Sequence, residues 1–490
     1  MKTSHLSPTA VFGYQLRLAL TACAACSACF QQAAADEWQL GLRVTRTTIT
    51  SPAVKPSPVT DGSSAPVTNT SAPEAPLTET HITEEQVSFG GGHMVIADEE
   101  KTKIYDFTAK RYFVLPAAAD DYEDISLYAL CAFRVRELQN RLFLGEAMGS
   151  AGVQADNVSF DRLDMESLFG LELPNKPSRA AGITAKPGEA FARNALADGT
   201  VTFSREGRAV TSFTPGSIRL SGARRRHWER YIVHACHIHP RIRSQIIAGG
   251  HLPGRLEFSA KDMNRTEKIA IEFIGTASAP DRAPARRLAG RTPRPPGAAK
   301  ELEAIVTRAA STAPPTKADA IAFARKAIAE DRPLDGLLAL LEYGLQSGDQ
   351  PTGEIRRHND VFKEDSQCRR FFSGGPQSTK EERERTLAAY DSIEREGLEK
   401  ACVLDILRAN MLAPLGKPAE AKRLFLAALE ANPFLSGVYN DLGNLYYHAY
   451  NMAAAWVCWD AGRRLHPDHP LLESATDLER RLERDFPALF

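Results

Sequence analysis

The feature of this 490-residue chain that most constrains its fold is a short repeat near the carboxyl terminus. Four positions recur in the same order 34 residues apart: Ala421, Phe425, Ala428 and Pro433 reappear as Ala455, Trp459, Gly462 and Pro467. Spacings of four and three place the small and aromatic residues on one face of a helix. Small residues let a neighbouring helix come close, the aromatic ring fills the space between helices, and proline ends the helix.

The helix that precedes the second copy has a similar face, with Tyr439, Leu442, Gly443 and Tyr446 at helical spacing. A pair of helices with this period resembles the tetratricopeptide repeat (TPR). The resemblance covers residues 401–470, and helical patterns from residue 301 onward extend it if they are degenerate repeats. It implies stacked helical hairpins whose first helices line a concave side that binds a protein or peptide partner.

The rest of the chain predicts an α+β protein in which an antiparallel-sheet domain precedes the helices. Residues 36–276 contain short period-two stretches, which predict strands, interrupted by helical patterns. The stretches 209–213 and 217–220 predict two separate strands, and the acidic stretch 120–124 predicts a solvated turn. Within them, residues 51–80 are rich in Pro, Ser and Thr and predict a disordered insertion. Residues 277–300, rich in Pro, Arg and Ala, predict a linker, and residues 301–490 predict an all-α TPR-like domain.

Part of the sheet domain has a second resemblance. The stretch 104–107, a turn, the stretch 112–115 and Tyr122 loosely resemble the half-open-barrel periplasmic carriers of lipids and lipoproteins, the LolA-like fold. The resemblance implies an apolar cavity under a curved sheet, which would take a lipid or other apolar ligand. The inserted helices depart from the pattern of those carriers.

The amino-terminal residues 1–35 have the pattern of a cleaved secretory signal. Lys2 and Arg17 precede a short apolar run, and Ala33–Ala35 fits a small-residue cleavage site. The run is short for a bilayer span, so we expect a secreted or periplasmic mature chain without a transmembrane span. The alternative is a lipoprotein signal, because Leu20–Cys23 resembles a lipobox that would anchor the chain at Cys23.

Composition and motifs exclude several classes of function. The net charge of −1 gives no electrostatic case for a nucleic-acid partner. The sequence contains no Walker loop, no G-x-S-x-G elbow and no H-E-x-x-H helix, and we predict no cofactor and no catalytic residue. The five cysteines beyond the predicted signal show no CxxC spacing. Whether the chain is an enzyme stays open at this point.

Two clusters are candidate sites. His234, Cys236, His237 and His239 carry imidazole and thiol groups, which are good zinc or copper ligands. The alternative is a helix end, with Cys236 as a small buried residue and His239-Pro240 as a turn. Asn440, Asn444 and Tyr447 fall at spacings of four and three on the predicted concave TPR face, where their amides and phenol could hydrogen-bond an extended peptide.

Two functions follow from these patterns. The first is a non-enzymatic interaction or scaffold protein that binds a partner protein through the TPR-like helices, with an amino-terminal domain that could bind an apolar ligand. The second is a metal-binding protein or hydrolase-type enzyme with the α+β domain as its catalytic unit. The lack of a catalytic motif favours the first.

Overall fold

The computed structural model describes residues 38–50, 76–150, 162–173, 191–262, 265–277, 284–374 and 379–490. An antiparallel sheet precedes a helical region, so the predicted α+β class is confirmed. The predicted signal peptide and residues 51–75 of the predicted insertion lie outside the described residues. The last residues of that insertion, from Leu77 to Thr80, belong to a strand.

Two compact units make up the chain. The first comprises Met1–Tyr122, Arg134–Thr292 and Phe486–Phe490, and the second comprises Glu123–Phe133 and Pro293–Asp485. The short segment Phe486–Phe490 therefore belongs to the first unit, although it follows the second unit in sequence. The short segment Glu123–Phe133 belongs to the second unit, although it lies within the sequence of the first. The predicted domains, 36–276 and 301–490, follow sequence order and do not include this exchange.

The described residues form twelve strands. They are β1 (Trp38–Thr50), β2 (Leu77–Gly90), β3 (His93–Ala97), β4 (Lys101–Asp106), β5 (Arg111–Pro116), β6 (Asp121–Ser126), β7 (Ala192–Ala195), β8 (Val201–Arg205), β9 (Arg208–Arg219), β10 (His251–Asp262), β11 (Arg265–Ala277) and β12 (Thr292–Arg294). They join in one mostly antiparallel sheet in the order β12-β6-β5-β4-β3-β2-β1-β11-β10-β9-β8-β7. Neighbours in sequence are mostly neighbours in the sheet, as expected for hairpin connections.

Strand β1 shows why the sheet forms. It pairs with β2 on one side and β11 on the other, both antiparallel. Its alternate residues Leu40, Leu42 and Val44 are at most 4% exposed, so the period-two pattern places them in the core. Two predictions differ from the structure: β9 is one strand where the sequence indicated two, and the acidic stretch 120–124, expected to be a solvated turn, mostly belongs to β6.

Helices cover part of this sheet. The helices before residue 290 are α1 (Leu127–Ser150), α2 (Arg162–Phe169), α3 (Gly222–Ala235), α4 (Pro240–Ala248) and α5 (Pro284–Leu288). Trp38 Nε1 of β1 donates to His227 Nδ1 of α3 at 3.1 Å, and the Phe89 ring of β2 stacks on His227. These buried contacts fix α3 against the central strands, and Trp228 and Tyr231 fill the core beside them.

The second unit is built from helices. They are α6 (Leu302–Ser311), α7 (Lys317–Ala329), α8 (Pro333–Ser347), α9 (Thr352–Arg357), α10 (Asn359–Glu364), α11 (Ser366–Phe372), α12 (Lys380–Asp391), α13 (Cys402–Leu412), α14 (Pro418–Ala431), α15 (Ser436–His448), α16 (Met452–Leu465) and α17 (Glu473–Asp485). Among the described helices of the whole chain, none combines the length and apolar character needed to cross a bilayer.

The sequence repeat corresponds to two helical hairpins. Helices α13 and α14 pack as one pair and α15 and α16 as the next, and α14 and α16 begin and end 34 residues apart. The repeated residues Ala421, Phe425, Ala455 and Trp459 are at most 2% exposed. They therefore have the packing role that the sequence predicted, whereas membership of the TPR family stays a prediction.

Gly443 lies where α15 packs closely against α16. A Cβ at this position would lie 2.4 Å from Trp459 Nε1, and the Trp459 ring also packs against Trp456 at a centroid distance of 4.8 Å. Overpacking costs about 1–3 kcal/mol, while alanine gains about 1 kcal/mol over glycine in a helix. We expect Gly443→Ala to destabilise the second unit by up to about 2 kcal/mol in thermal unfolding followed by circular dichroism at 222 nm.

The matched control is Gly353→Ala in α9, where an added Cβ meets no atom within 4 Å. This change should leave the midpoint unchanged or raise it slightly. A Gly443→Ala variant as stable as the control would contradict the close packing of the two helices.

Candidate functional site

The candidate metal ligands lie where α3 ends and α4 begins. Helix α3 stops at Ala235, Cys236 has an extended backbone with φ −117° and ψ 137°, and α4 starts at Pro240. An extended backbone turns successive side chains to opposite sides, so ligand-like spacing in the sequence does not become a cluster here. Cys236 itself is buried, and burial raises the pKa of its thiol well above the usual value.

His234 and His237 point into different surroundings. The His234 ring packs against the rings of Tyr105 and Phe107, at centroid distances of 4.6 and 5.5 Å. His237 Nδ1 lies 2.6 Å from the Leu168 carbonyl oxygen. Burial is the main reason that the pKa of each ring lies below its usual value, so both imidazoles are neutral at pH 7.

His239 joins α4 to α2 through a buried network. Its Nδ1 accepts a hydrogen bond from the Arg241 backbone N–H at 3.2 Å, so Nε2 carries the proton and donates to Glu166 Oε2 at 3.2 Å. Arg162 Nε donates to the other oxygen, Glu166 Oε1, at 2.8 Å. Burial favours a higher pKa for Glu166, but the hydrogen bonds from His239 and Arg162 and the charge of Arg162 outweigh it, and the pKa is lowered.

These contacts give the histidine segment a structural role. His237 and His239 each hold the α2 segment through a polar contact. In the described part of the chain, no group of three or more His, Cys, Asp or Glu residues is placed to hold a metal ion. His234, Cys236, His237 and His239 thus do not come together as one site.

A pocket of about 630 Å³ opens among α13, α14 and α15 in the second unit. Its apolar wall and its polar groups are supplied by Asn410, Ala413, Pro414, Gly416, Pro418, Phe425, Asp441, Asn444, Leu445, His448 and Ala449. Convergent polar groups in an otherwise apolar cavity of this size are typical of ligand sites.

The α13–α14 turn shapes one side of this pocket. Gly416 has φ +79°, a left-handed conformation that favours glycine, and Lys417 N–H donates to the Leu412 carbonyl at 3.0 Å. Pro418 then begins α14, where its missing N–H costs no helix hydrogen bond. The tight reversal brings Asn410, near the end of α13, towards α15.

Asp441 is the charged group of the pocket. Asn410 Nδ2 donates to Asp441 Oδ2 at 3.1 Å, and Asn440 Nδ2 donates to Oδ1 at 3.3 Å. Burial raises the pKa of Asp441, while the two amides act in the opposite direction. Neither partner is charged, and no Lys, Arg or His of the described residues forms an ion pair with this carboxylate.

The three residues predicted for the TPR face occupy different surroundings. Asn444 lines the pocket. Asn440 is 5% exposed, and its carbonyl accepts a hydrogen bond from Trp459 Nε1 at 3.4 Å. Tyr447 packs against the ring of Trp459 at a centroid distance of 5.8 Å. Asn440 is therefore a buried residue that holds the Asp441 carboxylate by a hydrogen bond. Tyr447 contacts α16 through the Trp459 ring.

Sequence reasoning missed Asn410, Asp441 and His448. Asp441, Asn444 and His448 have spacings of three and four, so a polar stripe on α15 could have been found from helical periodicity. Asn410 had no such signal, because only the packing of two hairpins brings it to Asp441.

The first unit has a groove of about 500 Å³ on the sheet formed by β1, β9, β10 and β11. Its side chains are mostly hydroxyl-bearing or charged, and include Thr45, Thr47, Ser212, Ser259 and Lys268. The apolar cavity that the LolA-like resemblance implies stays a prediction. Arg255 in the groove forms ion pairs with Glu257 and Glu272.

Comparison of the sequence with protein-family models and with curated proteins gives no match.

Proposed function

We propose that this chain is a secreted, non-enzymatic interaction protein whose helical unit binds an extended segment of a partner protein. The observation that carries the proposal is the pocket formed by α13, α14 and α15. Its volume, about 630 Å³, falls within the range of about 300–1,000 Å³ that ligand pockets show. Secretion rests on the signal-like pattern of residues 1–35.

The chemistry of the pocket suits a peptide. Asn444 offers an amide that can both donate to and accept from a peptide backbone, as extended peptides require. Leu445, Phe425 and Pro414 supply apolar contacts for side chains. The neutral, separated histidines and the high thiol pKa of Cys236 give no support to the enzymatic alternative.

The direct test is selection of heptapeptides from a random library on the full chain, followed by fluorescence anisotropy with the selected peptides. We expect Asn444→Ala to weaken binding about fivefold to tenfold, because one or two hydrogen bonds are lost. Leu445→Ala should weaken it as well, through lost apolar contact.

The control is Asn194→Ala, a change of the same type at an exposed position of β7 in the first unit. This variant should bind like the unmodified chain. Selected peptides that bind equally well to the unmodified chain and to both pocket variants would overturn the proposal, as would a library that yields no binder.

A further inference from the structure

We propose that the pocket recognises a basic residue of its partner, with the lysine or arginine cation bound by the Asp441 carboxylate. This inference rests on the proposed function, because it names the chemistry that the same pocket selects. Asp441 lines the pocket, so a bound side chain can reach its carboxylate.

The hydrogen bonds of Asp441 leave room for such a ligand. An ionised carboxylate has about four acceptor directions, and the amides of Asn410 and Asn440 occupy two of them. Both amides are neutral, so the negative charge has no compensating cation in the described second unit. A partly buried charge in this situation is costly unless a ligand provides the opposite charge.

Other buried carboxylates of the described chain show the contrast. Four carboxylate residues are at most 7% exposed: Glu166, Asp335, Glu342 and Glu354. Each forms an ion pair with an Arg, Lys or His inside the protein: Arg162, Arg332, Lys400 and Arg325 supply one cation to each in turn. Asp441 is held only by amides, which position the carboxylate without neutralising it.

The walls of the pocket indicate a long basic side chain rather than a free metal ion. Ala413, Pro414 and Leu445 offer apolar surface that can cover the methylene stem of lysine or arginine. A metal ion would need two or more further ligands beside Asp441, and His448 is the imidazole that shares the pocket lining. Among the residues described, no group of three or more His, Cys, Asp or Glu residues is placed to hold a metal ion.

The test uses pools of fluorescein-labelled heptapeptides in which the central residue is fixed as Lys, Arg, Gln, Leu or Glu and the other positions are mixed. Fluorescence anisotropy with the full chain should give Kd values about tenfold lower for the Lys and Arg pools than for the Gln and Glu pools. Asp441→Asn keeps the size of the side chain, and it should reduce this preference to within about twofold.

The control is Asp468→Asn, which removes the same charge from an exposed position outside the pocket lining. This variant should keep the preference, which separates a specific contact from general attraction to acidic surface. Circular dichroism checks that Asp441→Asn is folded. If that variant has lost its helices, the test uses the unmodified chain with free arginine added as a competitor. Free arginine should abolish the preference for the Lys and Arg pools, and a preference that persists would overturn the inference.

The outcomes separate the two proposals. If the pools bind, pocket variants weaken binding, and central Lys binds no better than Gln, the inference fails while the proposed function stands. If Asp441→Asn retains the preference, the inference also fails, because the cation then binds elsewhere. If no pool binds in a way that depends on Asn444 and Leu445, the proposed function itself fails.

Discussion

Glu166→Ala is expected to lower the free energy of opening of the α2 segment by about 3 kcal/mol. Glu166 is 1% exposed and accepts hydrogen bonds from His239 Nε2 and Arg162 Nε. Alanine leaves the His239 N–H, on a ring whose side chain is fully buried, without an acceptor. Hydrogen bonds to charged groups contribute about 1.5–3 kcal/mol each, and removing one partner of a buried ion pair costs about 3–5 kcal/mol.

Hydrogen exchange measured by mass spectrometry is the suitable readout for this change. The chain has two units, so an unfolding curve of the whole molecule would not report the opening of one short segment of the first unit. Amides in 162–173 and 236–243 should exchange faster in the variant. The control is Glu172→Ala, whose ion pair with Arg241 joins side chains that are 35% and 55% exposed, and it should change little.

The same experiment tests the metal alternative. We expect zinc to leave exchange of 236–243 unchanged in the unmodified chain, because His237 and His239 are used in hydrogen bonds that hold α2. Slower exchange on adding zinc, absent in His237→Ala, would restore the metal site. A Glu166→Ala variant that exchanges like the control would contradict the buried network.

The parts of the fold that sequence patterns predicted are those set by local periodicity. The small and aromatic residues around Ala421 and Trp459 could be assigned to packed helices because a helix brings residues three and four apart together. Alternation along β1 predicted a strand because residues two apart in a strand lie on the same face of the sheet. Strand β6 was missed because its acidic residues resemble a turn, although Tyr122 packs edge-on against Phe113.

The site could be predicted only in part, because its contacts are distant in sequence. Asn410 and Asp441 are 31 residues apart, and Glu166 and His239 are 73 residues apart. No local pattern marks such pairs. The histidine cluster shows the converse, since residues close in sequence separate when the helix ends at Ala235 and the chain becomes extended.

Buried charge also links the repeated hairpins to the helices before them, and this predicts the largest loss of stability. Asp335 of α8 is fully buried, and its carboxylate accepts hydrogen bonds from the backbone N–H groups of Glu399 at 3.2 Å and Lys400 at 2.8 Å. Arg332 Nη1 lies 2.5 Å from the same carboxylate. These contacts fix the turn that leads into α13.

Asp335→Ala is therefore expected to destabilise the second unit by about 4 kcal/mol. The backbone N–H groups of Glu399 and Lys400 lose their acceptor at once, and Arg332 keeps only its pairs with Glu330 and Glu399. Breaking a buried pair costs about 3–5 kcal/mol. The control is Asp349→Ala, whose carboxylate is 61% exposed and pairs with the exposed Lys317. That change should cost less than about 1 kcal/mol in the same thermal unfolding experiment.

The helices that lose protection from hydrogen exchange in Asp335→Ala show whether the second unit is one cooperative array. Hydrogen exchange in α16, which lies more than 100 residues after Asp335 in the sequence, should accelerate in Asp335→Ala if stability passes from hairpin to hairpin. Since α13 and α14 line the pocket, peptide binding should weaken in parallel. Faster exchange confined to residues around Lys400, with α16 and peptide binding unchanged, would show that the hairpins are stable independently. In that case the pocket would depend only on α13, α14 and α15.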